Sequence, residues 1–561
     1  MNTLGGFVAI CLVAFSFSIN WEEQISDIDI YADTNGTCAV CLLATRWVNE
    51  NIDKNLTYAD VRNSIIVACV VLLGQQARGD IMCPGLMDHY YPPIEHTLTL
   101  KPMDAPTLCV ALHFCDQYDV INETSLYESQ PRNSLHTEFD KYTQEPSISR
   151  ARDDLIKVVQ MTDVHVDYDY VTGTATDCGL YLCCREGDGY EGNGTAGHWG
   201  DMACNTPRRT VDLILRHVSE VIQPDFVLYS GDSPPHAMWE ETQEIQLNYT
   251  QYLTEIFREG LPDTPVYPTI GNHDMYPTNL YYLALDTIQE VNREFFANWE
   301  DLAFLNDANR ETVEKGGFFE TLAMPGLRIL SYNSVLAYAQ NFYSLLNEDD
   351  PVYEEMKVFM KDTLLDAQSA GEKVIVVGHI PPGVFSLDAF AEWLNDVMVQ
   401  FKDTIVLHVY GHTHNDHYTL FTDPESGSAE SMFFIAPSVT PKTDRNPSIR
   451  VYWLDPEDFH VVDYHQLFIN ISAAGGVETE PPIEFAYSAL DEYHLADMTP
   501  HSWRDLAERF ERDDDLFDVY ISRHTTQNGK TDDCDETCRR GFICEIQNLV
   551  FPEINKCKRA F

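Results

Sequence analysis

Along the middle of this chain, short apolar runs break off at a tight turn and are followed at once by residues that bind cations. Ile405-Val-Leu-His-Val-Tyr410 stops at Gly411 and is followed by His412 and His414. Leu155–Thr162 precedes Asp163-Val-His165, and Asp225–Ser230 precedes Gly231-Asp232. Pro265–Ile270 precedes Gly271-Asn-His-Asp274, and Lys373–Val377 precedes Gly378-His379. Apolar runs of this length, without polar alternation, predict strands buried on both faces. Glycine lets the backbone turn sharply at their ends. Helical periodicity over Thr210–Val221 and Glu354–Ala370 alternates with the strands, so an α/β domain is predicted over 154–465. The polar clusters then fall just past the carboxyl ends of the strands, where open α/β sheets assemble their sites.

The flanks read differently. Residues 34–119 carry helical patterns, clearest at Leu42–Trp47 and Val61–Leu73, among Cys38, Cys41, Cys69, Cys83, Cys109 and Cys115. Six cysteines allow fifteen pairings, and spacing alone does not choose among them. Residues 120–153 are polar, with Pro131 and Pro146, and read as a linker. A glycine-rich insert at 173–208 holds Cys178, Cys183, Cys184 and Cys204. Adjacent cysteines rarely bond to each other, which predicts Cys178–Cys183 and Cys184–Cys204. Residues 466–561 read as helical, with local disulfides expected at Cys534–Cys538 and Cys544–Cys557.

Composition adds the compartment. Leu4–Ile19 is an apolar run too short for a comfortable membrane span, so residues 1–20 read as a signal peptide, although no Lys or Arg precedes the run. Beyond Cys11 in that segment, fourteen cysteines remain, an even number that suits an oxidising environment. Sequons at Asn35, Asn55, Asn122, Asn193, Asn248 and Asn470 agree, and a secreted or lysosomal location is expected. The 36 basic and 89 acidic residues leave a net charge of −53, which repels nucleic acid and anionic surfaces. The 34–119 region is far milder, with nine acidic and five basic residues, so membrane approach meets least repulsion there.

The strand endings together offer Asp163, His165, Asp232, Asn272, His379, His412 and His414. One cation takes only three or four such ligands. Seven suit two cations sharing a bridge, and Asp232, alone after its strand, is the natural bridging carboxylate. No cysteine takes part, which disfavours a structural zinc site. Two dications less two carboxylates and a bridging hydroxide leave +1, matched to a phosphodiester monoanion. Paired metals acidify a shared water and clamp the oxygens of an in-line displacement. His273 beside Asn272 is placed to donate a proton to the leaving group. Asp274 is expected to orient its ring.

These endings resemble the calcineurin-like metallophosphoesterases, whose fold is a β-sandwich flanked by helices. The six-cysteine helical pattern resembles a saposin B-type domain, and this resemblance implies the nested pairing Cys38–Cys115, Cys41–Cys109 and Cys69–Cys83. With the cysteine-rich insert, Gly231-Asp-Ser-Pro-Pro-His236 and the C-terminal cysteine pairs, nearly the whole chain after residue 20 is similar to the acid sphingomyelinase family. That resemblance implies two Zn2+ per chain, one held by Asp163, His165, Asp232 and His414, the other by Asp232, Asn272, His379 and His412. It implies His273 as general acid and places His236 and Asn279 at the substrate phosphate. The implied reaction is hydrolysis of sphingomyelin, in membranes or lipoproteins, to ceramide and phosphocholine. The saposin domain is expected to touch the membrane peripherally and the chain to be a monomer without a nucleic-acid partner. Two readings compete: a related phosphodiesterase acting on nucleotides or another phospholipid, and a lipid-binding protein with a vestigial site.

Overall fold

The computed structural model describes residues 36–73, 78–116, 154–187, 194–349, 351–474, 478–526 and 534–560. The expected signal peptide, the linker and Asn35, Asn122 and Asn193 lie outside them. Asn55 and Asn248 are exposed, and Asn470 is partly buried.

Two six-stranded mixed sheets form the centre. In the first, β1 (Ile156–Met161), β2 (Phe226–Tyr229) and β3 (Val266–Pro268) run parallel. Antiparallel β10 (Ser448–Leu454), β11 (Val461–Phe468) and β12 (Glu484–Ser488) extend it beyond β1. The second runs β4 (Phe319–Met324), β5 (Leu327–Ser331), β6 (Lys373–Val377), β7 (Ile405–Tyr410), β9 (Ala429–Ile435) and β8 (His417–Thr422), with β5, β6, β7 and β9 parallel.

Strand alternation sorts the side chains. Val158 and Leu228 of the first sheet meet Ile329, Val377 and Val409 of the second in one buried cluster. Val159 and Val227, their neighbours along the strands, face the other way and pack against helices that include Leu253 and Phe257. Both faces of each central strand are therefore buried, as unbroken apolar runs require. The region beyond 466 departs from its helical reading: β11 runs on to Phe468, and β12 adds an edge strand. Only four residues of β12 find partners on β11, too short a stretch for alternation to stand out.

The N-terminal module consists of α1 (Gly36–Asp53), α2 (Tyr58–Leu73), α3 (Gly79–Leu100) and α4 (Ala105–Ala111). Its three disulfides join Cys38 to Cys115, Cys41 to Cys109 and Cys69 to Cys83. The insert pairs Cys178 with Cys183 and Cys184 with Cys204, and the C-terminal pairs are Cys534–Cys538 and Cys544–Cys557.

The module is packed on the catalytic domain. Met82, Leu86 and Met87 of α3 share a core with Trp239, Leu280 and Phe342. Gly85 permits the contact, because a Cβ there would stand 1.7 Å from the Trp239 carbonyl oxygen. His89 Nδ1 donates to Met238 O at 3.0 Å, Lys101 Nζ to Leu345 O at 2.9 Å and His113 Nδ1 to Val384 O at 3.1 Å. Val67 and Leu100, elsewhere on the module, remain largely exposed. Among the described residues no helix is long and apolar enough to cross a membrane.

Candidate metal centre

The carboxyl ends of β1, β2, β3, β6 and β7 bring Asp163, His165, Asp232, Asn272, His379, His412 and His414 into one cluster. Asp163 N donates to Gly231 O at 3.0 Å and His165 N to Asp232 O at 3.1 Å, so the first two loops are stitched together. Asp163, His165, Asp232, His412 and His414 all have positive φ, from 41° to 69°. Such backbone costs about 1–3 kcal/mol per residue and persists where the surroundings impose it, typically at functional sites.

Close approach is built into the β7 loop. A Cβ on Gly411 would lie 1.9 Å from Thr162 Oγ1 and 2.4 Å from Asp163 Oδ2. Thr162 Oγ1 itself donates to Asp163 Oδ2 at 2.6 Å. Gly411→Ala is therefore expected to push His412 and His414 away from Asp163. Displacements of this kind cost about 10²-fold in rate, which kcat/KM on a soluble nitrophenyl phosphodiester measures. Retained activity would show that the loop moves freely.

Two three-residue sets, Asp163–His165–Asp232 and Asp232–His379–His412, each have ligand atoms within 4.8 Å of one another, and they share Asp232. His165 Nε2 lies 3.5 Å from Asp232 Oδ2 and His379 Nε2 3.2 Å from the same oxygen. His379 Nε2 and His412 Nδ1 each stand 2.8 Å from Asn272 Oδ1, and His414 Nε2 is 3.3 Å from Asp163 Oδ1. Backing bonds fix the rings: His165 Nδ1 donates to Pro234 O and His379 Nδ1 to Ser230 O, both at 2.6 Å. Such bonds leave the opposite nitrogen's lone pair free to bind a cation. His165 Nε2 is fully buried with no hydrogen-bond partner, as an atom reserved for a metal would be.

Electrostatics agree with that donor set. Burial works against charge on Asp163, yet His414 and His379 hold its carboxyl at about 2. Burial likewise opposes Asp232, but His379 and His273 keep it well below the usual carboxylate range. Burial pushes His165 and His412 down to about 3, leaving neutral imidazoles. For His379 burial is overridden by Asp232, which raises it to about 9. A cation held there would take that proton's place, since coordination needs the neutral ring. Oxygen and nitrogen donors without thiolate suit a dinuclear site of borderline divalent ions. The residues present fit such a pair.

His273 is buried, with its ring centre 4.9 Å from that of His165 and 4.7 Å from that of His236, and its Nδ1 has no partner. The expected Asp274 contact is not made. The Asp274 carboxylate instead accepts from the backbone N–H groups of Gly271 at 2.8 Å and of Asp232 and Ser233 at 2.9 Å. These three backbone bonds tie the β2 and β3 loops together, and the His273 Nδ1 is left without a partner.

Other supports had no local signal in sequence. Asn205, next to the Cys184–Cys204 bridge, accepts from His236 N at 2.9 Å and lies 2.9 Å from His236 Nδ1. Ser334 Oγ accepts from the backbone of His379 and Ile380. Asn279 Oδ1 takes Asn272 Nδ2 at 2.8 Å, which turns the Asn272 oxygen towards His379 and His412. His236 also enters a three-histidine set with His165 and His414, closer to the cations' ligands than its expected place at the phosphate alone.

Residues 156–416 match the model for calcineurin-like phosphoesterases, and 428–560 match that for the acid sphingomyelin phosphodiesterase C-terminal region. Sphingomyelin phosphodiesterase A of Dictyostelium discoideum is 31% identical over 93% of this chain and 90% of its own length. The chain belongs to the acid sphingomyelin phosphodiesterase family. Within this family the Homo sapiens sphingomyelin phosphodiesterase is 28% identical over 92% of this chain and 82% of its own length. A cyclic GMP-AMP phosphodiesterase of Homo sapiens is 29% identical over 69% of this chain and 87% of its own length.

Proposed function

We propose that this chain hydrolyses sphingomyelin to ceramide and phosphocholine, with zinc as the metal at both positions. The observation that carries the reading is Asp232 shared between two ligand sets in a chain that aligns along nearly its whole length with sphingomyelin phosphodiesterases. Asp163, His165, Asp232 and His414 would hold one cation, and Asp232, Asn272, His379 and His412 the other. When bound, the pair supplies an acidified water and positive charge facing the phosphoryl oxygens. The remaining work belongs to the chain. His273, with an unpartnered Nδ1, donates a proton to the departing ceramide oxygen. His236, held by Asn205, and Asn279 face the substrate phosphate. The N-terminal module, with Val67 and Leu100 exposed, makes peripheral contact with the lipid surface. The protein works as a monomer in a secreted or lysosomal setting.

Purified protein given sphingomyelin liposomes at pH 5, with and without chelator, tests this reading. Release of phosphocholine is expected without chelator and its loss with it, alongside about two zinc ions per chain. Equal turnover under both conditions sinks the proposal. A soluble nucleotide diester belongs in the same assay, because the cyclic GMP-AMP phosphodiesterase is also a relative.

A further inference from the structure

The segment after β9 brings to the site a cation, Lys442, that the mechanism above does not use. The segment after β9 lies along the metal ligands: Thr440 N donates to Asp163 O at 2.9 Å, and Thr443 Oγ1 is 3.4 Å from His414 Nδ1. Lys442 stands between these two contacts, partly buried. Its Nζ sits 4.4 Å from the centre of the Tyr181 ring. That ring is in turn 6.1 Å from the ring of His236. Lys442 is near enough for its charge to be among those that disfavour protonation of His236. Burial lowers the Lys442 ammonium to about 8, with Asp444 opposing, so it remains charged in neutral and acid solution. Among the described residues it makes no ion pair within 4.0 Å.

We propose that Lys442, seated on Tyr181 beside His236, forms an anion-accepting subsite that favours phosphodiester lipids with a net negative head group over those carrying choline. This rests on the phosphodiesterase reading and ranks substrates within it: sphingomyelin remains a substrate, turned over less efficiently than a lipid with an anionic head group. An aromatic face beside the phosphate would be the natural seat for a quaternary ammonium. Here that face is already covered by an ammonium. A choline group brought to it would meet a like charge within a few ångströms, in a site where water screens poorly. A head group with hydroxyl or anionic oxygens would meet a donor instead.

The test uses vesicles that differ only in the reactive lipid, ceramide phosphoinositol or sphingomyelin. The readout is the ratio of kcat/KM between them for the full-length wild type, Lys442→Met and Lys442→Arg. The folded fraction cancels within each ratio, and the difference in vesicle charge, common to all three proteins, cancels when the ratios are compared between them. The wild type is expected to favour the inositol lipid, Lys442→Met to lower the ratio by about tenfold, the size of one lost charge–charge term, and Lys442→Arg to keep it. A ratio unchanged within about twofold in Lys442→Met overturns the proposal while leaving the phosphodiesterase reading intact. A second arm needs no turnover: calorimetric binding of inositol phosphate and phosphocholine to chelator-treated protein. Tighter binding of inositol phosphate, lost in Lys442→Met, supports the subsite. Equal affinities overturn it even if neither lipid is cleaved.

Discussion

Asp232→Asn is expected to lower phosphodiester turnover by at least about 10³-fold while leaving the chain folded. The substitution keeps the volume and one oxygen, so the bond from His273 N to Asp232 Oδ1, 2.8 Å in length, can persist. It removes the charge from the only residue common to both ligand sets. Each set then holds less negative charge, and with the one oxygen kept by His273 N, the group facing His165 and His379 is an amide NH2, which offers a cation no lone pair. Paired cations supply several kcal/mol of transition-state stabilisation, and each 1.36 kcal/mol is tenfold in rate. Metal analysis should fall below two ions per chain, and kcat on a soluble diester should fall with it. Asp163→Asn touches one set only, so it should lose one ion while the Asp232–His379–His412 set keeps its own. Wild-type rates in Asp232→Asn would remove Asp232 as the bridge and, with it, the assignment of two cations.

What was legible in the sequence follows from how local each feature is. An apolar run, a turn and a ligand occupy about ten residues, so each strand ending could be read where it stands. The meeting of five endings could also be inferred, because parallel strands place their carboxyl ends on one side of a sheet. Asp274 lay within a recognised motif, but its partners Asp232 and Ser233 belong to another loop. Neighbourhood in sequence therefore suggested His273 as its target. Asn205 and Ser334 carry no motif, since any polar residue on a correctly placed loop can brace a histidine. The seating of the N-terminal module was equally hidden. Gly85 reads as an ordinary weak point in a helix until Trp239 is seen against it. That seat also bears on experiment. Removing residues 34–119 would uncover Trp239, Leu280 and Phe342, so lost lipid turnover in such a truncation would mix missing lipid contact with a damaged surface. Comparing lipid and soluble substrates in the full chain avoids this.

Arg450→Met is expected to destabilise the fold by about 3–5 kcal/mol, the usual result of leaving one member of a buried ion pair unpaired. Arg450 is wholly buried on β10, where a polar residue in a strand would ordinarily be read as facing solvent. Its NH2 lies 2.5 Å from Asp416 Oδ1, its Nε donates to Gln466 Oε1 at 3.0 Å, and the guanidinium covers the Tyr464 ring at 4.1 Å. Asp416 sits two residues beyond His414. It also accepts from the Tyr487 hydroxyl of β12, and its backbone is bonded both ways to His524, the last residue of the helix Asp514–His524. The ion pair thus pins the loop carrying His412 and His414 to the first sheet, while the bonds to His524 tie it to the C-terminal helices. This gives the C-terminal region, matched as a family model over 428–560, a physical task at the metal centre. In Arg450→Met a fall in Tm of roughly 5 °C or more is expected, together with weaker metal retention. Arg450→Met combined with Asp416→Asn removes the stranded charge and should recover part of the lost stability, as a double-mutant cycle would register. A single variant that melts with the wild type would remove the ion pair as the brace of this loop and leave that task to the bonds of Asp416 with His524 and Tyr487.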